Sequence, residues 1–501
     1  MADATIRRRC GPPGVTLVEM ATLGPPGSMA KAHKALASLA LLLVPFLGPA
    51  EGTEQVQSRA QTQAQRPNIV FVLTDDQDAA SIRHMPLLNS NLMDEGITFK
   101  NAFVTNSLCC PARATILRGQ YTHNHGIEGN SLPSGGFRRF RKLGRERSTV
   151  ATWLDSEGYQ TALVGKYLNE YRTRHVPPGW DKWYGITKYG YQNFEINENG
   201  RLASYKDGRD YSTDVLARKA RGFVERAADN PAPFFLYVAP YAPHEPATPA
   251  GRHKDEFSNA KLPTPPSFNE DDVSDKPGWV RDQPRITDRR KRNLRNLHRN
   301  RLRSLQSVDE MVGGLVKTLR ANGELDNTYI VFTSDHGYHM GQHRLPAGKW
   351  TAYEEDIRVP LVMRGPGVPR GQTRQHTVLN NDFAPTFAKL AGAAAPGFVD
   401  GRSLAPLLSG NPPPASGWRS AFLVEAKTST QHPEYRAVRT ENHLYVEYGT
   451  GERELYDLRD DPYQLRSRHA DPDLGALRES LKARLEALDG CAGEECRVAE
   501  E

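Results

Sequence analysis

Unbroken runs of apolar residues, several of them β-branched, recur along the chain and end abruptly at acidic or proline-containing turns. Such runs are typical of strands buried on both faces of a parallel sheet. Helical patterns lie between them, over 148–166 and over 302–323. Strands that alternate with helices predict an α/β fold, with a large, mostly parallel central sheet covered by helices on both faces. The predicted strand segments are 66–78, 233–246, 327–341 and 359–367.

The pattern changes after about residue 415, where apolar and polar residues alternate. EYRAVRTENHLYVEYGTGERELYDL predicts antiparallel strands with YGTGER as a turn, and DPDLGALRESLKARLEAL predicts a closing amphipathic helix. We therefore expect a main domain over 66–414, a small α+β subdomain with an antiparallel sheet over 415–490, and a tail over 491–501. Cys491 and Cys496 are spaced so that they could close a small disulfide loop.

The N-terminal region has the pattern of a targeting segment. Residues 1–28 are rich in Gly, Pro and Arg without periodicity, and are interpreted as disordered or as an over-extended reading frame. From Met29, two lysines precede a short apolar run and a small-residue exit, which predicts a signal peptide over 29–50, followed by a linker over 51–65. The alternative is a disordered tail plus a helix. The apolar run is too short to span a bilayer, so we expect a secreted or extracytoplasmic protein without stable membrane insertion.

Composition and charge add little that is unusual. The chain has 38% hydrophobic and 25% charged residues, as soluble globular proteins do. Its net charge of +6 is too small to require a nucleic-acid partner, and none is expected. The stretch 281–303 is intensely basic. It has two interpretations, a surface for polyanions or a solvated face that leads into the next helix, and the second is favoured.

Acidic residues come directly after two of the predicted strands. Asp75 and Asp76 end the first, and Asp335 with His336 ends the segment 327–341. Acids often cap the loops after strands, so either pair alone is weak evidence. Two such pairs at one edge of a sheet would repel each other unless a cation lay between them. Carboxylate oxygens suit a hard divalent ion, so the sequence predicts a calcium or magnesium site.

Basic side chains are expected at the same edge of the sheet. Lys166, His244 and Lys349 each lie close to the end of a predicted strand or just before one. Singly, such residues are more often solvated or structural than functional. Together with a divalent cation and an arginine, they are the groups that bind and activate a tetrahedral oxyanion ester.

Two of the five cysteines, Cys109 and Cys110, are adjacent. Neighbouring cysteines seldom bridge each other, and zinc sites separate paired cysteines by at least two residues. The residues alone leave three interpretations open: a buried pair of small apolar side chains, a reactive cysteine, or a more unusual chemistry.

The motif CCPAR at 109–113 matches the sulfatase signature C-x-P-S/A-R. TDDQD, GKYLNEY, PYAPHEP, TSDHGYHMGQH and GKWTAYEEDIRVPLVMRGPG resemble the other sulfatase blocks in the family's order. Over about residues 66–480 the chain is therefore identified as a member of the formylglycine-dependent sulfatases of the alkaline phosphatase superfamily. The resemblance implies that a maturation enzyme, which reads Pro111 and Arg113, oxidises Cys109 to Cα-formylglycine. Cys110 then fills the variable position.

The resemblance also implies roles for the residues at the sheet edge, with Ca²⁺ as the expected metal and Mg²⁺ as the alternative. The implied metal ligands are Asp75, Asp76, Cys109 in its modified form, Asp335 and His336. The implied residues that hold the nucleophile, the sulfate and the leaving group are Arg113, Lys166, His244 and Lys349.

One position departs from the family pattern. Many sulfatases have Lys-x-His where this chain has Lys166-Tyr167-Leu168, so a histidine that contacts the formylglycine hydroxyl is missing. Asn169 and His125, the latter in the HNHG turn, are the candidates to replace it.

The GKYLNEY, CCPAR and HNHG motifs are similar to those of sulfatases that act on 6-O-sulfated N-acetylglucosamine. The implied substrate is a sulfated amino sugar or glycosaminoglycan, and an aryl sulfate would be an artificial one. Three alternatives remain: a phosphate or phosphonate ester hydrolase of the same superfamily, a secreted glycan-binding protein with a degenerate site, and a hydrolase that uses the Cys109 thiol directly.

Overall fold

A ten-stranded, mostly parallel sheet forms the centre of the chain, in the order β10-β2-β9-β8-β1-β7-β3-β4-β5-β6. The structure is a computed structural model that describes residues 66–429 and 432–501, so the predicted N-terminal tail, signal peptide and linker (1–28, 29–50, 51–65) lie outside the described residues. The strands of this sheet are β1 Asn68–Thr74, β2 Ile97–Phe103, β3 Gln160–Gly165, β4 Lys182–Lys188, β5 Phe194–Glu198, β6 Arg201–Tyr205, β7 Phe234–Ala239, β8 Thr328–Ser334, β9 Leu361–Arg364 and β10 Gln372–Leu379.

Strand β1 shows why the sheet needs cover on both faces. Ile69, Phe71 and Leu73 pack into one hydrophobic cluster, and Val70 and Val72 pack into another on the opposite face. All are completely buried. Its neighbours β7 and β8 both run parallel to it. The continuous apolar run therefore marks a central strand with both faces covered, and the predicted fold class is confirmed.

The helices cover both faces of this sheet. The connections contain a π-helix at Asn89–Met93 and short 3-10 helices. The 3-10 helices are Ala79–His84, Arg145–Arg147, Gly251–His253, Leu325–Asn327, Asn380–Asp382, Ala405–Leu408, Ala415–Gly417 and Pro472–Leu474. Among the described helices, none combines the length and the apolar character needed to cross a membrane. The α-helices are α1 Pro86–Leu88, α2 Cys109–Arg118, α3 Thr122–His125, α4 Gly136–Lys142, α5 Val150–Ser156, α6 Ser212–Ala228, α7 Gly278–Arg281, α8 Asp288–Ala321, α9 Glu354–Ile357, α10 Phe383–Ala391, α11 Gly475–Asp489 and α12 Glu494–Ala499.

Two predicted helix boundaries were wrong. The segment 148–166 is not one helix: α5 ends at Ser156, the chain turns through Gly158 at φ +79°, and β3 comes next. Thr161 and Val164 favour the strand after that turn. The helix predicted over 302–323 begins earlier, at Asp288, where the Thr287 hydroxyl caps it, so the basic stretch is helical over most of its length.

The C-terminal part forms a separate antiparallel sheet in the order β11-β12-β13-β14, as the alternating pattern predicted. Leu481, Leu485 and Leu488 of α11 join the hydrophobic cluster that this sheet shares with the main domain. The segment 491–501, predicted as a tail, holds the Cys491–Cys496 disulfide, and α12 lies within it. The four strands are β11 Ala421–Ala426, β12 Tyr435–Thr440, β13 His443–Tyr448 and β14 Arg453–Asp457.

Candidate active site

Four neighbouring strands, in the order β8-β1-β7-β3, end at one edge of the central sheet. Because β1 and β8 are parallel and Thr74 lies opposite Ser334, the acidic pairs directly after these strands reach the same level. Lys166 comes immediately after β3, and His244 lies in the turn after β7. The carboxyl edge of the sheet therefore brings these predicted residues together, as expected for an α/β fold.

The backbone at this edge is fixed by close contacts. Asp76 has φ +68°, and its amide donates to Asp335 Oδ1 at 3.0 Å. The Lys166 amide donates to the carbonyl of Ala239 at 2.8 Å. Gly165, at φ +126°, permits this approach, since a Cβ there would lie 2.0 Å from the same carbonyl oxygen.

Helix α2 begins at Cys109 and places Arg113 one turn further on, so the two side chains share a face. Arg113 is fully buried, donates from Nε to Asp335 Oδ2 at 2.9 Å, and donates from one terminal nitrogen to the Lys166 carbonyl at 2.9 Å. Its other terminal nitrogen, Nη2, has no hydrogen-bond partner in the described part of the chain. This nitrogen lies 3.6 Å from Asp75 Oδ1, an ion-pair contact longer than a hydrogen bond.

Cys109 Sγ lies at the centre of the charged residues. Lys349 Nζ is 3.0 Å from it, His336 Nε2 is 3.3 Å from it, and Asp76 Oδ1 is 4.0 Å from it. Lys349 also pairs closely with Asp76, and Lys166 Nζ contacts both oxygens of Asp75, at 2.8 and 2.6 Å. The sulfur is therefore surrounded by two groups that can carry positive charge and by one carboxylate.

The two adjacent cysteines differ sharply in their electrostatics. Burial raises the pKa of the Cys110 thiol to about 12. Burial acts in the same direction on Cys109, but the positive charges of Lys166 and Lys349 outweigh it and hold its pKa well below the usual range. Cys110 is therefore an inert apolar residue. The cations around Cys109, by contrast, stabilise a negative charge at that position.

The carboxylates and lysines of the site stay charged. Burial would raise the pKa of Asp75 and of Asp76, but neighbouring charges, chiefly Lys166 for Asp75 and His244 for Asp76, lower both. Burial would lower the pKa of Lys166, but Asp75 raises it. Asp335 differs, because its burial outweighs His336 and Arg113 and raises its pKa to about 6. The positive charges of His336 and Arg113 therefore do not fully offset the effect of burial on the Asp335 carboxylate.

The donor set fits a hard divalent metal. One potential ligand atom from each of Asp75, Cys109, Asp335 and His336 lies within 4.8 Å of the others, and all four residues are buried. His336 Nδ1 lies 2.9 Å from the Gly337 carbonyl, which accepts its proton, and Nε2 faces Asp76, Asp335 and Cys109, among which a metal could bind. Buried carboxylate oxygens with one imidazole are ligands that calcium and magnesium sites accept.

A pocket of about 280 Å³ opens above these residues. His244 is at its wall, with Nε2 3.8 Å from Asp76 Oδ2 and Nδ1 2.7 Å from the Glu245 carbonyl. Its side chain is 27% exposed, so it can reach both the buried site and a ligand. The other residues that line the pocket include Tyr338, Ala347, Lys349 and Trp350.

His125 and Asn169 are the two candidates to contact a modified Cys109. His125 Nδ1 accepts from the Ile127 amide and Nε2 lies 3.0 Å from the Thr115 hydroxyl, so both ring nitrogens are used within the α2–α3 region. The backbone carbonyl of Asn169 accepts from the Phe137 amide. No hydrogen bond joins either side chain to Cys109 among the described residues. The Cys109 sulfur contacts His336 and Lys349, and a role of His125 or Asn169 towards a modified residue 109 stays a prediction.

A buried arginine that the sequence pattern did not single out supports the backbone turns that carry the site. Arg301, in α8, donates to the backbone carbonyls of Asp76 and of Pro243, and its guanidinium lies 4.2 Å from the centre of the Tyr338 ring. It joins the turn after β1 to the turn after β7. Helical spacing places it on the apolar face with Leu294 and Leu305, which is the signal that separates it from the exposed arginines around it.

A second such residue, Asp356, supports the loop that carries Lys349. Its carboxylate lies 2.9 Å from His339 Nδ1 and accepts from the amide and the hydroxyl of Thr351, at 3.0 and 2.7 Å. The backbones of His339 and Gly348 pair with each other. Thr351 and Gly348 thus anchor this loop on both sides of Lys349.

Replacing Arg301 by methionine should disturb both turns of the site. The two carbonyls would lose their donors at similar side-chain volume, which we expect to cost about 2 kcal/mol of unfolding free energy. Displaced turns should also lower kcat/KM by about tenfold or more. Urea unfolding and initial rates measure both effects. Arg303→Gln, two residues along the same helix, is the control, because Arg303 donates to the Glu256 carbonyl and the Ser258 hydroxyl at the surface. Equal losses of activity in the two variants would contradict a positioning role for Arg301.

Comparison with known proteins gives a consistent result. The chain matches the sulfatase family over residues 67–393 and the family described as N-sulphoglucosamine sulphohydrolase, C-terminal, over residues 341–490. It is 36% identical to N-acetylglucosamine-6-sulfatase of Capra hircus, over 88% of this chain and 86% of that protein. It is also 36% identical to an arylsulfatase of Volvox carteri, over 86% of this chain and 76% of that protein.

A solved structure has the same fold. It shows a protein in complex with its substrate D-glucosamine-2-N,6-O-disulfate, with a TM-score of 0.76 and 26% identity, over 86% of this chain and 98% of that chain.

Proposed function

This chain belongs to the sulfatase family and is a sulfuric ester hydrolase, and on that premise we propose that it removes sulfate from a sulfated sugar through a formylglycine at position 109 and a divalent metal. The observation that carries the proposal is the convergence of Lys349 Nζ and His336 Nε2 on Cys109 Sγ, within 3.3 Å. A structural cysteine does not need two cationic or metal-ligating groups at contact distance.

Formylglycine at position 109 would supply, as its hydrate, one hydroxyl that attacks sulfur and a second whose deprotonation expels the sulfate. Arg113, one helical turn after Cys109, supports this, because its buried Nη2 makes no hydrogen bond among the described residues and only an ion-pair contact of 3.6 Å with Asp75 Oδ1. Lys349, 3.0 Å from Sγ, is placed to orient the same group. The partner needed to make formylglycine is a maturation enzyme that recognises CCPAR.

The cations hold the sulfate group. Lys166 and Lys349 remain charged because the pKa of each is raised by the carboxylates around it, which outweigh burial. They therefore offer fixed positive charge to the ester oxygens. Because the site is buried from water, this charge acts strongly there. His244, partly exposed at the pocket wall, is placed to give a proton to the leaving alcohol.

The metal would be held by Asp75, Asp76, Asp335 and His336, with Ca²⁺ favoured and Mg²⁺ the alternative. When bound, it would supply positive charge to the sulfate oxygens and lower the pKa of the attacking hydroxyl. Carboxylates that bind a metal no longer need Lys166 and Lys349 as their main counter-charge. Both lysines then become available to the anionic substrate.

The relatives support a sulfated amino sugar as substrate. Matches to a named N-acetylglucosamine-6-sulfatase and to a protein solved with D-glucosamine-2-N,6-O-disulfate both point to sulfate on glucosamine. Family membership favours sulfate over phosphate esters as the reacting group. Consistent with the predicted signal peptide and the Cys491–Cys496 disulfide, we propose a secreted or extracytoplasmic enzyme.

Peptide mass spectrometry on protein from its native host tests the proposal. Trypsin should release residues 101–113, NAFVTNSLCCPAR, with an aldehyde at Cys109 that a hydrazide traps and with an intact thiol at Cys110. The internal control is Cys110 itself, which lies in the same peptide but has a raised pKa. Two unmodified thiols in protein that hydrolyses sulfate esters would show that the nucleophile is not formylglycine.

A further inference from the structure

A basic cavity lies on the first half of α8, outside the site described above. Its volume is about 470 Å³, and four of its lining residues are cationic: Lys261, Lys291, Arg295 and Arg299. Among the described residues, no acidic one lines it. We call these four residues, with Leu262 and Phe268, which also line the cavity, the basic groove.

The charges of the basic groove are poorly compensated within the protein. Lys291 has a weak contact of 3.6 Å with Asp288, and Arg299 donates to a backbone carbonyl, that of Ala260. Within the described residues, no carboxylate lies within 4.0 Å of Lys261, Arg295 or Arg299. Like charges gathered without counter-charges repel each other, and a polyanionic ligand relieves that repulsion.

The basic groove adjoins the catalytic pocket. Leu262 and Phe268 pack in one small hydrophobic cluster with Tyr338 and Ala347, and these last two residues also line the pocket above Cys109. The helix gives a second measure of proximity. Arg295 precedes Arg301, which bonds to the Asp76 carbonyl, by six residues, or about 9 Å along the helix axis.

We propose that the basic groove binds the sulfate or carboxylate groups of a polyanionic glycan chain while one sulfated sugar of that chain lies in the catalytic pocket. The proposal rests on the proposed function and specifies its substrate as a chain rather than a free monosaccharide. A nucleic acid would satisfy the same charges, but the hydrophobic cluster that joins the groove to the pocket of a sulfuric ester hydrolase favours a sulfated glycan.

The test compares two substrates on one variant. In Lys261→Gln/Lys291→Gln/Arg295→Gln, three cations at the surface are removed, and Arg299, which supports the backbone, is kept. For a sulfated hexasaccharide with a terminal N-acetylglucosamine 6-sulfate, we expect KM to rise about tenfold with kcat unchanged, since exposed ion pairs each change binding a few-fold. For free N-acetylglucosamine 6-sulfate, both constants should stay within about twofold. The rise in KM should shrink as salt screens the charges.

The matched control removes three cations elsewhere. Lys182, Arg201 and Lys206 are exposed on β4, on β6 and just after β6, at the far edge of the sheet. Their replacement by glutamine changes net charge equally and should leave both substrates unaffected. Equal effects of the two triple variants on the hexasaccharide would overturn the proposal, and so would a short DNA duplex that binds the wild type as tightly as the hexasaccharide does.

Failure of the proposed function gives a different result. If neither substrate is hydrolysed, calorimetric titration with the hexasaccharide still measures the groove. Binding by the wild type that the groove variant loses and the control variant keeps would support the groove without the reaction. Binding that all three proteins share, or that none shows, would overturn it.

Discussion

Replacement of Cys109 by alanine is expected to lower kcat/KM for sulfate esters by at least about 1,000-fold while the fold stays intact. The side chain is small, and the cations proposed to bind sulfate remain around it, so the loss measures the nucleophile rather than substrate binding. Cys109→Ser is expected to lose multiple turnover to a similar extent for a different reason. A serine hydroxyl can accept one sulfate but lacks the second hydroxyl that would expel it.

Two measurements distinguish these variants. Steady-state rates with a sulfated sugar give the loss of turnover, and mass spectrometry of the 101–113 peptide shows whether the serine variant retains a sulfate adduct. Cys110→Ala is the matched control, because Cys110 is equally buried and adjacent but has its pKa raised to about 12. It should keep activity within a few-fold and lose only packing energy. A reversed result, with the Cys110 variant inactive and the Cys109 variant active, would contradict the assignment of the nucleophile.

Most of the sheet edge could be predicted because its residues come directly after strands. Asp75 and Asp335 end apolar runs whose burial on both faces is evident from composition alone, and neighbouring parallel strands carry the residues at their carboxyl ends to one edge of the sheet. Lys349 could not be placed in this way, since it lies in a loop and reaches Cys109 through contacts distant in sequence. Its position before a predicted strand indicated only the sheet edge, and its role depended on resemblance to the family.

The residues that were missed or misplaced depend on tertiary contacts. Arg301 lies in a stretch where most arginines are exposed, and only the helical register distinguishes it. His125 was a candidate because it lies shortly after the cysteine motif, but its ring is held by Thr115 and Ile127. Spacing along the chain therefore predicts which elements meet, whereas the direction of a side chain is decided by hydrogen bonds that composition does not show.

Removal of divalent metal by a chelator should lower sulfatase activity at least about 100-fold, and Ca²⁺ or Mg²⁺ should restore it. The reason lies in the pairing of charges. Lys166 contacts both oxygens of Asp75, and Lys349 pairs closely with Asp76, so neither lysine is free for an anionic ester while these carboxylates lack another counter-charge. Titration of the depleted enzyme with each ion, with rates measured at each step, also identifies which metal it prefers.

Asp335→Asn tests the same site within the chain, because the amide keeps the size of the side chain and removes the negative charge of one proposed metal ligand. We expect it to raise the metal concentration needed for half-maximal activity at least about tenfold and to remove most of the metal-dependent gain in melting temperature. Asp382→Asn is the control. Asp382 is equally buried and paired with Arg419 at 2.8 Å, but belongs to no acidic cluster at the described sheet edge. It should lower stability without changing the metal requirement. If the two variants lose stability alike and respond to metal alike, Asp335 is a structural partner of Arg113, and the metal is bound without it.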